Sequence, residues 1–499
     1  MSFSRVYSAQ VNVLDGELIT IETDISKGLH NFSIVGLPDK SVEEARDRVG
    51  SAIKNSGFTS PKQTNQKIVV SLSPANLKKE GSYFDLGIAL GYLLSAGDLK
   101  FNPDKKAFIG ELSLNGDIKP VKGILPLVKS LKSAGFEEVF VPFENKEEAA
   151  LIDGIKIFPA KNLIEVIKHL KEEDTFCLST QPLTEILIEN NFAHNDFSDI
   201  RGQENVKRAL LIAAAGGHNI AMYGPPGTGK TMLARAFSGI LPPLSKEDIL
   251  EVTGIHSVAG TLRGALITSV PFRSPHNTSS YVSVIGGGAI PKPGEVTLAH
   301  KGVLFLDEFP EFDRRVLESL RQPLEDKVVH ISRSKGTAVF PTNFILIAAM
   351  NPPDDNATAS DIVRFKRKIS GPIMDRIDIW IDVPKIDYEL LSQKEKSGKT
   401  SEELRKEILR ARKKQEERFA GSLVRTNSAM SVRDLDKTVV LKEEVKKILN
   451  MSAEKLGLSP RAYHRIIKLS RTIADLEDSK EIETKHVLEA LAYRPKDEF

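Results

Sequence analysis

The spacing of apolar positions changes twice along this chain, and those changes divide it. Over residues 1–170, short apolar, β-branched runs alternate with helical stretches: Lys67 to Leu72 (KIVVSL), Phe84 to Leu94, Leu125 to Leu131 and Glu138 to Pro142 (EVFVP). That order predicts a mixed α/β unit. A polar stretch over 171–195 mixes charge with Ser, Thr and Asn and reads as a linker with a short helix. From 196 to 385 strand and helix alternate again, now with fully apolar strands at Asn219 to Tyr223, Val303 to Leu306 and Phe344 to Met350. Continuous apolar runs of this kind fit parallel strands covered on both faces. Over 386–499 the strand signal disappears, and helical spacing at 401–418, 441–456 and 460–477 predicts a helical end domain.

Composition narrows the picture without naming a function. A chain of 499 residues is too long for one core, and 40% apolar residues is ordinary for a globular protein. No run of 18 apolar residues occurs and the first residues lack a basic-then-apolar leader, so the expectation is a cytoplasmic protein with no membrane contact. The single cysteine, Cys177, excludes an internal disulfide and any multi-cysteine metal site. With 69 basic against 67 acidic side chains, a nucleic-acid surface has to be a local patch.

The sharpest chemical signal is residues 224–231, GPPGTGKT, which fits G-x-x-x-x-G-K-S/T and sits between an apolar strand and a helix. In that setting the backbone of Gly224, Pro225, Pro226, Gly227, Thr228 and Gly229 cradles phosphates at a helix N-terminus. Lys230 reaches the β and γ phosphates, and the Thr231 hydroxyl ligates magnesium. A second piece, VLFLDE, ends a buried strand in two carboxylates, which suits Asp307 to the magnesium shell and Glu308 to the attacking water. Asn351, at the tip of a third strand, can orient the same water; it is equally a turn residue before Pro352. ATP and Mg2+ are therefore the expected cofactors.

Other residues stay open on spacing alone. Arg376, after a Gly-Pro turn, and Arg461, at the start of a helix, suit either a transition-state arginine or an ion pair. Arg364, Lys366, Arg367 and Lys368 around Phe365 suit either a nucleic-acid backbone or a solvated face. His256, His276 and His300 lack metal-ligand spacing and read as loop or core histidines.

Long stretches of text then carry a resemblance: DFSDIRGQENVKRALLIAAAGGHNIAMYGPPGTGKTMLA, PFRSPHNTSS, GGGAIPKPGEVTLAHKGVLFLDEFPEFDRRVLESLRQPLED, ISGPIMDRIDI and LSPRAYHRIIKLSRTIADL. In these the chain resembles the magnesium-chelatase-like AAA+ ATPases, and among them the ComM/YifB group. The resemblance implies an α/β multidomain fold, with an AAA+ P-loop parallel-sheet core over 196–385 and a C-terminal helical lid over 386–499. It implies Lys230 and Thr231 as the Walker A pair, Asp307 and Glu308 as the Walker B pair, Asn351 as sensor 1, Arg376 as an arginine finger serving a neighbouring subunit and Arg461 as sensor 2. It also implies two inserted hairpins, one between Lys230 and Asp307 and one near Val328 to Val339. Residues 1–170 resemble the Lon-protease, S5-like α/β fold through LKKEGSYFDLGIAL and GELSLNGDIKPVKGILPLVKSLKSAGFEEVFVP. There Asp85 stands at the nucleophilic serine and Leu125 at the activating lysine, so the expectation is a proteolytically inactive scaffold. Many group members carry cysteines between Asn351 and Ser370; this chain has none, and no zinc is expected.

By that resemblance the leading function is a homo-oligomeric, hexameric ring that hydrolyses ATP to translocate on single-stranded or branched DNA. Such a helicase would promote branch migration when incoming DNA recombines during natural transformation. Arg263, Arg273, Lys292, Arg333 and Lys335 are the candidate DNA contacts. The alternative is a chelatase-type motor acting through a partner in metal insertion, set aside because the chelatase motor lacks a Lon-like front domain.

Overall fold

The computed structural model describes residues 3–171, 176–187, 196–288, 291–333, 336–353, 365, 368–385, 398–422 and 424–495, and every count below is of those residues. It divides into two compact units, one of residues 1–187 with 246–267 and one of 188–245 with 268–499. The assignment of 246–267 to the first unit departs from chain order, which would place it in the core that surrounds it.

The first unit is built on a mixed seven-stranded sheet. Its strands are β1 (Phe3–Asn12), β2 (Asp15–Lys27), β3 (Asn31–Val35), β4 (Gln66–Ser73), β5 (Lys106–Phe108), β6 (Glu138–Pro142) and β7 (Lys156–Ala160), in the spatial order β3, β4, β2, β1, β5, β6, β7. β1 and β2 form an antiparallel hairpin, and β5, β6 and β7 run parallel. The first run singled out from sequence begins at Lys67, yet Ile19, Ile21, Thr23 and Ile25 already alternate inward along β2. Threonine and serine at inward positions weaken the apolar rhythm that would have announced the hairpin. The Phe84 to Leu94 run is a helix, α2 (Asp85–Ala96), following α1 (Lys40–Asn55), and α2 is buried almost throughout. The Leu125 to Leu131 run lies in a third helix, α3 (Ile124–Ser133). Residues 176–187, expected as free linker with a short helix, contain no helix and attach to this unit, Gln181 N donating to Ile157 O at 2.9 Å and Thr184 N to Ala150 O at 2.9 Å. The neighbouring residues 172–175 and 188–195 lie outside the described residues.

A helix from the inserted region, α4 (Lys246–Ala259), belongs to the same unit and packs on α3. Gly123, which needs its left-handed φ of +73° to start α3, donates its N–H to the Ser257 hydroxyl at 2.8 Å. Ser257 in turn bonds the buried Glu148 carboxylate, which also accepts from Leu125 N at 3.0 Å.

The second unit carries a five-stranded parallel sheet. Its strands are β8 (Ile220–Tyr223), β9 (Phe272–Arg273), β10 (Val303–Leu306), β11 (Ile345–Met350) and β12 (Ile379–Asp382), ordered β9, β10, β11, β8, β12. The three runs read as buried parallel strands are β8, β10 and β11, and their inward and outward positions are both covered. Helices Glu204–Gly216 and Lys230–Ile240 share their apolar core with the terminal helices. Those run over Ser401–Arg418, Glu443–Lys455, Pro460–Leu476 and Thr484–Ala492, within two residues of the boundaries expected for the first three. Ser459 caps the third by accepting from Ala462 N, with Pro460 in its first turn. Two hairpins are present, a two-residue pairing of Gly286–Gly287 with Lys292–Pro293 and a longer one of Val328–Arg333 with Gly336–Pro341.

Candidate nucleotide site

Because β8, β10 and β11 are parallel, their C-terminal ends emerge on one edge of the sheet, and the candidate residues follow directly. Tyr223 is level with Met350, and Leu306 with Ala348. The Gly-rich loop therefore begins beside Asn351, with Gly224 N donating to Met350 O at 3.2 Å, and Asp307 follows on the next strand. The Thr231 hydroxyl donates to Asp307 Oδ2 at 2.9 Å, which puts two hard oxygen donors together at the helix N-terminus. Lys230 is buried, and its ammonium donates to Gly224 O at 2.7 Å and Pro225 O at 2.9 Å. Burial pulls its pKa down, partly opposed by the Asp307 charge.

Glu308 is exposed in the left-handed region with φ +51°, and its carboxylate accepts from Asn277 Nδ2 at 2.6 Å. Asn277 was not singled out from sequence. It lies in a Ser, Pro and Asn-rich loop, and its partner is 31 residues away, just past the end of β10. Gln203 was missed for the same reason: its amide donates to Thr228 O at 3.0 Å and Pro384 O at 3.2 Å, tying the phosphate loop to the end of β12. Next to it opens a cavity of about 750 Å³ lined in part by Gln203, Tyr223, Trp380, Tyr493 and Arg494.

The two candidate arginines are elsewhere. Arg376 precedes β12, and its carbonyl accepts from Asn219 Nδ2 at 3.0 Å, at the start of β8. That is the opposite edge of the sheet, roughly 16 Å along the strand from Gly224 at about 3.3 Å per residue. Arg376 and Arg461 both pair with Glu325, Arg461 through Nη2 to Oε1 at 2.7 Å. The structure thus brings Thr231, Asp307, Glu308 and Asn351 to the loop and leaves Arg376 and Arg461 together on the far side.

The candidate DNA contacts are divided between the two units. Arg263 is exposed in the first unit, and Lys292 is exposed on the short hairpin of the second. Arg273 is engaged twice by Glu295, at 2.6 and 2.8 Å, so its charge is neutralised within the chain. Arg333 pairs with Gly336 at the end of the longer hairpin, and Lys335 lies outside the described residues. Of the basic run, Lys368 pairs with Glu311 at 2.7 Å, while Arg364, Lys366 and Arg367 lie outside the described residues. His256 and His300 are buried, bonded to Thr261 and to Asn343 N; His276 bonds Thr278.

In the first unit the Asp85 carboxylate is buried and held by Arg48 at 2.7 and 3.1 Å and by Leu112 N at 3.2 Å. Leu125 is buried at the start of α3. The Asp85 carboxylate is thus taken up by an ion pair within the unit, and the Leu125 side chain carries no ionisable group.

A parallel sheet with a Gly-rich loop leading into a helix, a Thr and Asp pair beside it and a helical domain following is the architecture of the AAA+ class. Family models described as "Magnesium chelatase, subunit ChlI", "Magnesium chelatase, subunit ChlI C-terminal" and "Subunit ChlI of Mg-chelatase" match residues 196–391, 398–494 and 21–145. The chain is 40% identical to Competence protein ComM of Haemophilus influenzae across 99% of this chain and 98% of that one. It is 38% identical to Uncharacterized protein YifB of Escherichia coli across 99% and 97%, and 24% identical to DNA replication licensing factor Mcm6 of Drosophila melanogaster across 38% and 23%. The chain belongs to the ComM/YifB family of magnesium-chelatase-like AAA+ proteins. The match over 21–145 carries the chelatase description too, so the front domain by itself does not set the metal-insertion alternative aside. Among the described residues no helix is long and apolar enough to cross a membrane.

Proposed function

We propose that this chain is an ATP-hydrolysing motor that works as a closed ring of copies, hexameric in number, and moves along single-stranded or branched DNA. One observation carries the reading. The phosphate loop with Thr231, Asp307, Glu308 and Asn351 occupies one edge of the sheet, and Arg376 with Arg461 occupies the other. A single chain therefore holds two halves of a site that only a second copy can complete.

Thr231 and Asp307 would hold magnesium, whose charge neutralises the phosphate oxygens during transfer. Lys230 exchanges its carbonyl partners for phosphate oxygens, Glu308 orients and deprotonates the attacking water, and Asn351 fixes that water from the adjacent strand tip. The aromatic-lined cavity beside Gln203 suits the nucleobase. Arg376 and Arg461 stabilise the charge that develops on the neighbour's transferring phosphoryl group.

DNA enters through the family: one relative is named for competence and a more distant one for DNA replication licensing. The test is ATP turnover with and without DNA, together with strand displacement from forked and three-stranded substrates and binding across a salt series. Absence of both DNA binding and DNA-stimulated turnover overturns the DNA reading. The family models' descriptions support a second reading, a motor driving metal insertion through a partner subunit. ATP-dependent metal insertion in the presence of that partner would separate the two.

A further inference from the structure

Glu325 is an unusual acceptor. It is the penultimate residue of the helix Arg321–Asp326, just ahead of the strand that Val328 begins in the longer hairpin, and it takes an ion pair from each of two arginines that lie 85 positions apart in the sequence. Arg376 is held tightly: its side chain is 10% exposed, and Nη1 donates to Pro372 O at 2.6 Å. Its Nε is buried and has no hydrogen-bond partner among the described residues. Arg461 is 47% exposed and makes its ion pair to Glu325 alone among the described residues. Two guanidinium charges therefore face one half-exposed carboxylate, which leaves the group net positive and a buried donor unused.

An arrangement of two donor forks on one monoanion is well matched to a phosphate, which carries more charge and more acceptor oxygens than a carboxylate. We propose that Glu325 is a positioning residue for both arginines. It gathers Arg376 and Arg461 into one receptor on this edge of the sheet, and it gives way when the terminal phosphate of a neighbouring copy's nucleotide is presented there. This rests on the reading that the two arginines serve a second copy. The carboxylate acts as a stand-in anion: it prevents the two cations from repelling each other apart, and it competes with the phosphate for them.

The experiment measures kcat and KM for ATP in the full chain and in Glu325→Gln, Glu325→Asp, Arg376→Ala and the Glu325→Gln/Arg376→Ala pair. Glutamine keeps the shape and removes the competing charge, so KM should fall by about three- to tenfold while kcat changes by less than about threefold, the scale of one partly exposed charged contact. Aspartate keeps the charge and should restore the wild-type KM. In the Arg376→Ala background the effect of Glu325→Gln on KM should shrink, because one of the two cations it releases is gone. The proposal is overturned if Glu325→Gln leaves KM unchanged or raises it, or if the KM shift is as large without Arg376 as with it. Should wild type turn over ATP and Arg376→Ala turn over equally well, the parent reading of the arginines fails, and this proposal with it. A collapsed kcat in Arg376→Ala beside an unchanged KM in Glu325→Gln sinks the role of Glu325 alone.

Discussion

Replacing Gly224 by alanine places a methyl group where there is no room for one. A Cβ at this position would lie 2.2 Å from Val383 O and 3.1 Å from Val383 C, which are backbone atoms at the end of β12. Ordinary contact needs the loop or the strand to move by roughly 1 Å, and no rotamer change can absorb a clash with a carbonyl. Forcing such a shift into a packed sheet costs about 1–3 kcal/mol. For a unit of this size each kcal/mol lowers the melting temperature by about 2–4 °C, so a drop of roughly 2–12 °C is expected. The carbonyls of Gly224 and Pro225, in the displaced loop, hold Lys230, and Gln203 ties Thr228 to Pro384, so the displacement reaches the phosphate loop and its lysine. A misplacement of about 1 Å at a reacting centre costs on the order of 100-fold in turnover. The assay is thermal melting with and without ATP and magnesium, where the transition that nucleotide raises identifies the second unit, followed by steady-state turnover. Gly227 supplies the contrast, since its limit is a left-handed φ of +79° with no atom within 4 Å; Gly227→Ala should strain the loop and leave β12 in place. If Gly224→Ala melts within a degree of wild type and turns over ATP normally, the close approach to Val383 is not what holds the loop.

Three further outcomes are expected. Glu308→Gln should bind ATP with near wild-type affinity and lose turnover by at least about 100-fold, because only water activation is removed; filter binding beside a phosphate-release assay checks it, and normal turnover would refute the role. Asn277→Ala removes one charge-assisted hydrogen bond to an exposed carboxylate, so turnover should fall by about 10-fold with KM little changed; unchanged turnover would leave Asn277 as a loop residue only. In the first unit, burial lifts the Asp85 carboxyl to about 6 although the Arg48 ion pair pulls it down. Its folded pKa then lies above the unfolded value of 3.8, so the fold holds this proton more tightly; the contribution is fully present below pH 3.8 and is lost as pH rises through about 6. The span is about 3 kcal/mol at 1.36 kcal/mol per unit. Asp85→Asn should flatten that part of the first unit's stability profile between pH 4 and 6, and an unaltered slope would show that Asp85 does not titrate there.

The Gly-rich loop, the three apolar strands and the terminal helices were legible because each rests on local chemistry. Backbone that must face phosphates needs glycine, a parallel strand covered on both faces needs unbroken apolar residues, and a helix under a core needs its period. Adjacent carboxylates after VLFL likewise announce themselves within a few residues. The β1–β2 hairpin was not legible, since Thr23 and Ser8 occupy inward positions and only cross-strand pairing makes them so. Nor was the attachment of 246–267 to the front unit, which depends on Gly123, Glu148 and Ser257 meeting across long stretches of chain.

For the arginines, spacing alone favoured an ion pair over a transition-state role, and an ion pair is what the fold holds. Arg376 and Arg461 are both ion-paired to Glu325, and the parallel direction of β8 and β12 puts Arg376 at the edge away from its own loop. The sequence by itself determined which chemical groups this protein carries and which secondary structures present them. Which groups meet was decided by tertiary structure alone, because strand order and direction are set by packing between residues far apart in the chain, and no local pattern encodes them.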